Sequence, residues 1–126
     1  MTALEAARPV SLLDLLPDHD TGRGIRFIAG AGRETVLPYA GLAAVAGRIQ
    51  AALRARGLKP GDEVVIALAD PETFVPAFWG CLLGRMVPVP VQPPSNDEHR
   101  RKLARILALL HRPFLIADAP AEGCRL

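Results

Sequence analysis

The polypeptide has 126 residues, of which 15 are Lys or Arg and 13 are Asp or Glu, so its net charge of +2 gives no argument for nucleic acid or a membrane surface as partner. Half of its residues are hydrophobic and only 5% are aromatic, which predicts a single domain with a dense core and excludes a stacking platform for single strands. Cys81 and Cys124 fit no metal or redox spacing and make no disulfide framework, so a reducing, cytoplasmic compartment is the default.

Residues 1–10 carry Glu5 and Arg8 and lack the apolar stretch of a secretory signal, and read as an N-terminal tail. No uninterrupted apolar run approaches the ~18 residues that span a bilayer. Ser11 to Leu16 reads as a short amphipathic turn stopped by Pro17. Ile25 to Ala29 and Glu34 to Leu37 read as two short strands joined by Gly30-Ala31-Gly32. A phosphate-binding glycine loop is the alternative. It fails because Thr35 stands where the third glycine belongs and Val36-Leu37-Pro38 cannot open a helix there.

Tyr39 to Arg56 has helical periodicity, with Leu42, Val45, Ala46, Ile49 and Leu53 on one face and Gly57 at the C-terminal position. Lys59-Pro60-Gly61-Asp62 is a turn, because proline presets φ at its second position and glycine supplies φ > 0 at its third. Val64 to Ala69 is a continuous apolar run of the kind buried on both faces of a parallel sheet. Asp70-Pro71-Glu72 then opens a helix that is apolar nearly all round to Leu83, with Pro76 in its first turns. Val87 to Val91 is a strand threaded with Pro88 and Pro90, which belongs at an edge. Ser95-Asn96-Asp97-Glu98 reads as a capping box for a helix running to about His111. Phe114 to Ala117 is a last short strand, and residues 119–126 read as a C-terminal tail. Strands alternating with helices predict an α/β fold of parallel-sheet βαβ units, preceded by a small hairpin, over residues 11–118.

Within this order, Tyr39 to Pro94 resembles the N-terminal region of the adenylate-forming superfamily, which includes acyl-CoA synthetases, fatty acyl-AMP ligases and assembly-line adenylation domains. The family's first motif reads approximately Leu, Thr or Ser, Tyr, any residue, Glu, Leu. Leu37-Pro38-Tyr39-Ala40-Gly41-Leu42 matches it at Leu, Tyr and Leu, with Pro38 in place of the hydroxyl residue and Gly41 in place of Glu. Gly57 to Val64 is similar to the family's turn into its first parallel strand. Leu83-Gly84-Arg85-Met86-Val87-Pro88-Val89-Pro90 resembles its second motif, except that Arg85 stands where glycine is usual. Either Gly84 takes over the left-handed position there or the site has drifted. Phe78-Trp79-Gly80-Cys81, the doubled Val-Pro and Lys102 to Asp118 look most like fatty acyl-AMP ligases and loading domains of polyketide or nonribosomal peptide assembly lines.

The resemblance implies a ligase that activates a carboxylic acid as acyl-AMP with ATP and magnesium, working with further ligase domains and a carrier protein. The family's Ser/Thr/Gly-rich ATP loop and catalytic lysine lie downstream of this region. Lys59 and Lys102 are the only lysines and neither adjoins an anion cradle. A truncated, ligase-like subdomain that is inactive alone is therefore expected, with no catalytic, cofactor-binding or metal-binding residue assigned to it. A non-catalytic docking module of an assembly line is the alternative, and Pro38, Gly41 and Arg85 favour it.

His19, His99 and His111 lie in different elements and read as surface residues, since no ligand spacing is met. Arg100, Arg101, Lys102 and Arg105 form the one candidate protein-interaction surface, for an acidic partner such as a carrier protein, weighed against an ordinary solvated helix face. The mean hydropathy of +0.22 and the apolar helix to Leu83 predict uncovered apolar surface and self-association through it.

Overall fold

The structure is a computed structural model that describes residues 11–16 and 21–118. The two expected tails, Pro17 and His19 lie outside the described residues. A 3-10 turn at Leu12–Leu15 is closed by Ser11 and Asp14 in a reciprocal cap. Strands β1 (Gly24–Ile28) and β2 (Glu34–Pro38) form the antiparallel hairpin predicted from the glycine turn. Helix α1 (Tyr39–Ala55), strand β3 (Glu63–Ala67), helix α2 (Pro71–Leu83), strand β4 (Val87–Pro90), helix α3 (Asp97–Leu109) and strand β5 (Phe114–Ala117) follow. The sheet order is β4-β3-β5, all parallel.

β3 sits in the centre because its run is apolar at every position from Val64, and Val64, Val65 and Ile66 are fully buried. Alternation sends Val64 and Ile66 to one face, where they pack with Leu53, Ala77, Cys81 and Met86 from the α1–α2 side. Val65 and Ala67 are buried on the opposite face. The two crossovers run in opposite directions across the sheet, so right-handedness places α2 on one face and α3 on the other. Leu103 is the one residue that α3 buries.

Prolines close one edge of the sheet. The Val87 amide donates to the Asp62 carbonyl at 2.8 Å and the Val91 amide to the Ile66 carbonyl at 3.0 Å. The positions of Pro88 and Pro90 therefore face outward, where no N–H is available to a further strand. β5, the other edge, has no proline and no charged residue in its span Phe-Leu-Ile-Ala. It is an open edge.

The predicted punctuation holds at most helix ends. Asp70 accepts from the Glu72 amide at 2.9 Å, with Pro71 as the first helical residue. Gly57 and Gly61 take φ of 91° and 88°. One expectation is corrected and one open alternative is decided. The N-cap of α3 is Asn96, not Ser95: Asn96 Oδ1 accepts from the His99 amide at 2.8 Å, and an asparagine one residue later caps as well as serine does. At the end of α2, Gly84 has φ of −83°, and Arg85 itself adopts the left-handed conformation at φ 57°. The Met86 amide donates to the Cys81 carbonyl at 2.9 Å and the Arg85 amide to Leu82 at 3.0 Å, a Schellman arrangement with Met86 buried behind it.

The departures from the first motif also acquire a physical meaning. Pro38 is the N-cap of α1 and makes no side-chain cap, and Gly41 stands at the third helical position. A hydroxyl residue and a glutamate at those two places would form a capping box, so both changes amount to one lost reciprocal cap. Arg85→Gly is expected to raise stability by about 1 kcal/mol. Pro38→Ser combined with Gly41→Glu is expected to raise it by about another 1 kcal/mol, measured as shifts in the urea midpoint. A destabilised Arg85→Gly variant would contradict the strain assigned to that residue.

Candidate functional site

The C-terminal end of β4 and the inner side of α3 enclose a groove of about 230 Å³, lined by Pro90, Val91, Gln92, His99, Lys102 and Leu103. Ser95 Oγ lies 3.0 Å from His99 Nδ1, and the Ser95 amide donates to the same nitrogen at 3.4 Å. An amide donor at Nδ1 places the proton of the neutral ring on Nε2. These contacts tie Ser95 to the first turn of α3, and among the described residues no carboxylate is hydrogen-bonded to this ring.

The sequence-predicted basic patch is partly dispersed. Arg100 is half-buried and paired with the Asp97 carboxylate. At 100° per residue, Arg101, Lys102 and Arg105 share the other side of the helix, all exposed, with Lys102 at the rim of the groove.

A second cationic cluster was not visible as a motif. Arg56 at the end of α1, Lys59 in the following turn and Arg112 before β5 line a cleft of about 570 Å³ together with Leu58, Pro113 and Phe114. The Arg56 guanidinium lies over the Phe114 ring, 5.8 Å from its centroid. Asp62, the cleft's one carboxylate, is bound to the Lys59 amide at 2.8 Å. The register that pairs Val64 with Phe114 brings residues 59 and 112 to the same end of the sheet. The Glu63 carboxylate pins the adjoining loop by accepting from the His111 amide at 2.9 Å.

Cys81 is fully buried in the α1–α2 core, as expected of a small hydrophobe. Burial pushes its thiol from 9.0 up to about 11. A thiol raised in the folded state leaves stability unaffected below the unfolded pKa near 9. Between pH 9 and 11 only the unfolded chain releases its proton, so stability falls as pH rises. The expected slope is on the order of 1 kcal/mol per pH unit. It should vanish in Cys81→Ala, measured by urea unfolding across that range. An identical slope in the variant would assign the effect to other groups.

The apolar α2 is better covered than expected. Phe74, Val75, Phe78, Trp79, Leu82 and Leu83 are all half-buried, and Phe74 and Phe78 stack with ring centroids 6.0 Å apart. The large apolar side chains that stay exposed lie elsewhere: Leu12 and Leu15, Ile28 and Val36 on the hairpin, Val87, and Leu109 at 86% exposure. Among the described residues no group of three or more His, Cys, Asp or Glu side chains is placed to hold a metal. No described helix is long and apolar enough to cross a membrane.

No family model matches the chain. Among curated proteins, human Disco-interacting protein 2 homolog A is 51% identical over 39 residues, 29% of this chain and 2% of that protein. Among solved structures, the McyG A-PCP protein complexed with phenylalanyl-adenylate superposes with a TM-score of 0.72 and 28% identity, over 78% of this chain and 16% of that one. The fatty acid AMP ligase from Legionella pneumophila superposes with a TM-score of 0.66 and 32% identity, over 72% of this chain and 16% of that one. The chain thus spans a small fraction of the length of each. With the parallel β4-β3-β5 sheet and its preceding hairpin, the chain resembles the N-terminal region of the adenylate-forming superfamily in fold and in sequence.

Proposed function

We propose that the chain is the front portion of an acyl-adenylate-forming ligase of the fatty acyl-AMP ligase or assembly-line loading type. In this reading it supplies scaffold to an enzyme that activates a carboxylic acid as acyl-AMP, with ATP and magnesium held by other parts of the ligase. The observation that carries the reading is the likeness to an adenylation domain and a fatty acid AMP ligase over 72–78% of the chain at 28–32% identity. The open β5 edge supports it, since a sheet closed by prolines on one side only is ready to continue on the other. The remaining ligase domains or a carrier protein are its partners, in the cytoplasm. The exposed apolar side chains of the hairpin and of Leu109 supply a surface for self-association.

A second reading is a docking module without chemistry of its own, favoured by Pro38, Gly41 and Arg85. Each departure weakens a helix end and none touches a reacting group, so the drift is one of stability. The decisive experiment is carboxylate-dependent ATP–pyrophosphate exchange by the purified chain and by the chain extended through the downstream reading frame. The chain alone is expected to give none and the extended protein to give exchange. Exchange by the chain alone would overturn the reading of it as scaffold. A downstream frame without a Ser/Thr/Gly-rich loop and without exchange would favour the docking module. Light scattering checks self-association, which a monodisperse monomer at high concentration would refute.

A further inference from the structure

The cleft bounded by Arg56, Lys59 and Arg112 lies at the N-terminal ends of β3 and β5. Ligands of open parallel sheets bind outside the carboxyl ends of the strands, so this cleft is at the wrong end to belong to an adenylate site. It is nevertheless a cationic cleft, as the exposed side of α3 is a cationic surface. Three cations face one carboxylate there, in a protein whose overall charge is only +2. Among the described residues none of the three cations has a carboxylate partner, whereas Arg26 pairs with Glu34 and Arg100 with Asp97.

The backbone decides between kinds of anion. A phosphate cradle needs free amides converging on one point. Here the Gly57 amide donates to Arg54, Leu58 to Leu53, Gly61 to Arg85 and Asp62 to Lys59 carbonyls, and the Lys59 amide to the Asp62 carboxylate. Residue 60 is proline and has no amide hydrogen. Every amide from 57 to 62 is therefore spent internally, so this turn offers no converging set of free amides. Half-buried Leu58, Pro113 and Phe114 line the cleft beside the three cations, with Arg56 over the Phe114 ring. A strip of carboxylates interleaved with apolar side chains matches both features.

We propose that this cleft docks an acidic, partly apolar segment of a partner polypeptide, with the carboxylates meeting Arg56, Lys59 and Arg112 and an apolar side chain set on Leu58 and Pro113. The site stands apart from the ligase reading, because its chemistry and its place in the sheet owe nothing to adenylation. The same register that builds the sheet fixes the distance between its two halves.

The test is an amide-resolved NMR titration of the whole chain with a synthetic peptide of alternating Glu and Leu residues. Shifts are expected at the amides of residues 57–59, 61, 62, 112 and 114, and affinity should fall from about 50 to about 300 mM salt as the charges are screened. Lys59→Gln with Arg112→Gln should weaken binding about tenfold, while Arg101→Gln with Arg105→Gln, which removes the same charge from α3, should change it less than about twofold. All four side chains are exposed, and circular dichroism confirms that both variants fold. Equal loss in the two variants would reduce the effect to net charge, and no peptide binding would overturn the proposal. Larger shifts at the same amides with inorganic pyrophosphate than with peptide would make the cleft a phosphate site instead.

Discussion

Replacing Gly80 by valine is expected to remove about 3 kcal/mol of stability, a large share of what a domain of this size has. Gly80 lies inside α2, where helix propensity alone would favour alanine by about 1 kcal/mol. Space opposes it. A Cβ at this position would stand 2.7 Å from Ile49 Cγ2, 2.9 Å from Ile49 Cβ and 3.2 Å from the Ala46 carbonyl oxygen. A change of rotamer moves Cγ2 but leaves Cβ and the carbonyl in place, so the helices themselves must separate. The α1–α2 pair is the most extensive contact between elements of the fold, and Leu53, Ala77 and Cys81 are buried along it. Separation therefore loosens the whole core face. The sterically milder Gly80→Ala should lose less, and Ile49→Ala should recover part of that loss in a double-mutant cycle read from urea unfolding. A Gly80→Ala protein more stable than the parent would show that the two helices do not approach this closely.

How much of this was legible in the sequence depends on how local the cause is. β3 announces itself through an unbroken apolar run, because burial on both faces demands apolar residues at every position. The start of α2 is readable from Asp70 and Pro71, whose preferences act within three residues. The N-cap of α3 slipped by one because Ser95 and Asn96 are both good caps, and the neighbours decide between them. The sequence left open whether Gly84 takes the left-handed position or the site has drifted. The chain sets Arg85 there, since burying Met86 and closing two hydrogen bonds outweighs a strain of about 1 kcal/mol. The candidate interaction surface was half legible. Arg101, Lys102 and Arg105 share a helix side, as local spacing requires. Arg56, Lys59 and Arg112 meet only because β3 pairs with β5, and no spacing between residues 59 and 112 encodes that register.

The two faces of the sheet should respond very differently to the same kind of truncation. Ile66→Ala is expected to lose about 4 kcal/mol, because Ile66 is fully buried in the central strand and three methylene-sized groups leave a cavity among Leu53, Ala77 and Cys81. Side chains of α1, α2 and β5 pack in the same cluster and are held by the sheet, so the surroundings cannot collapse into the space. Leu103→Ala should lose about 2 kcal/mol, near the lower bound for such a change. Leu103 is the sole buried residue of α3, and Ile106 and Leu107 beside it are only half-buried. Hydrogen exchange separates the cases. Ile66→Ala should lower protection in β3, β4, β5, α1 and α2 together, since these amides open only by global unfolding. Leu103→Ala should free the amides of α3 and leave β3 protected, because a helix held by one buried leucine opens by itself. Uniform loss of protection in Leu103→Ala would mean that α3 is integral to the cooperative core, and the groove it forms with β4 would then be as rigid as the sheet.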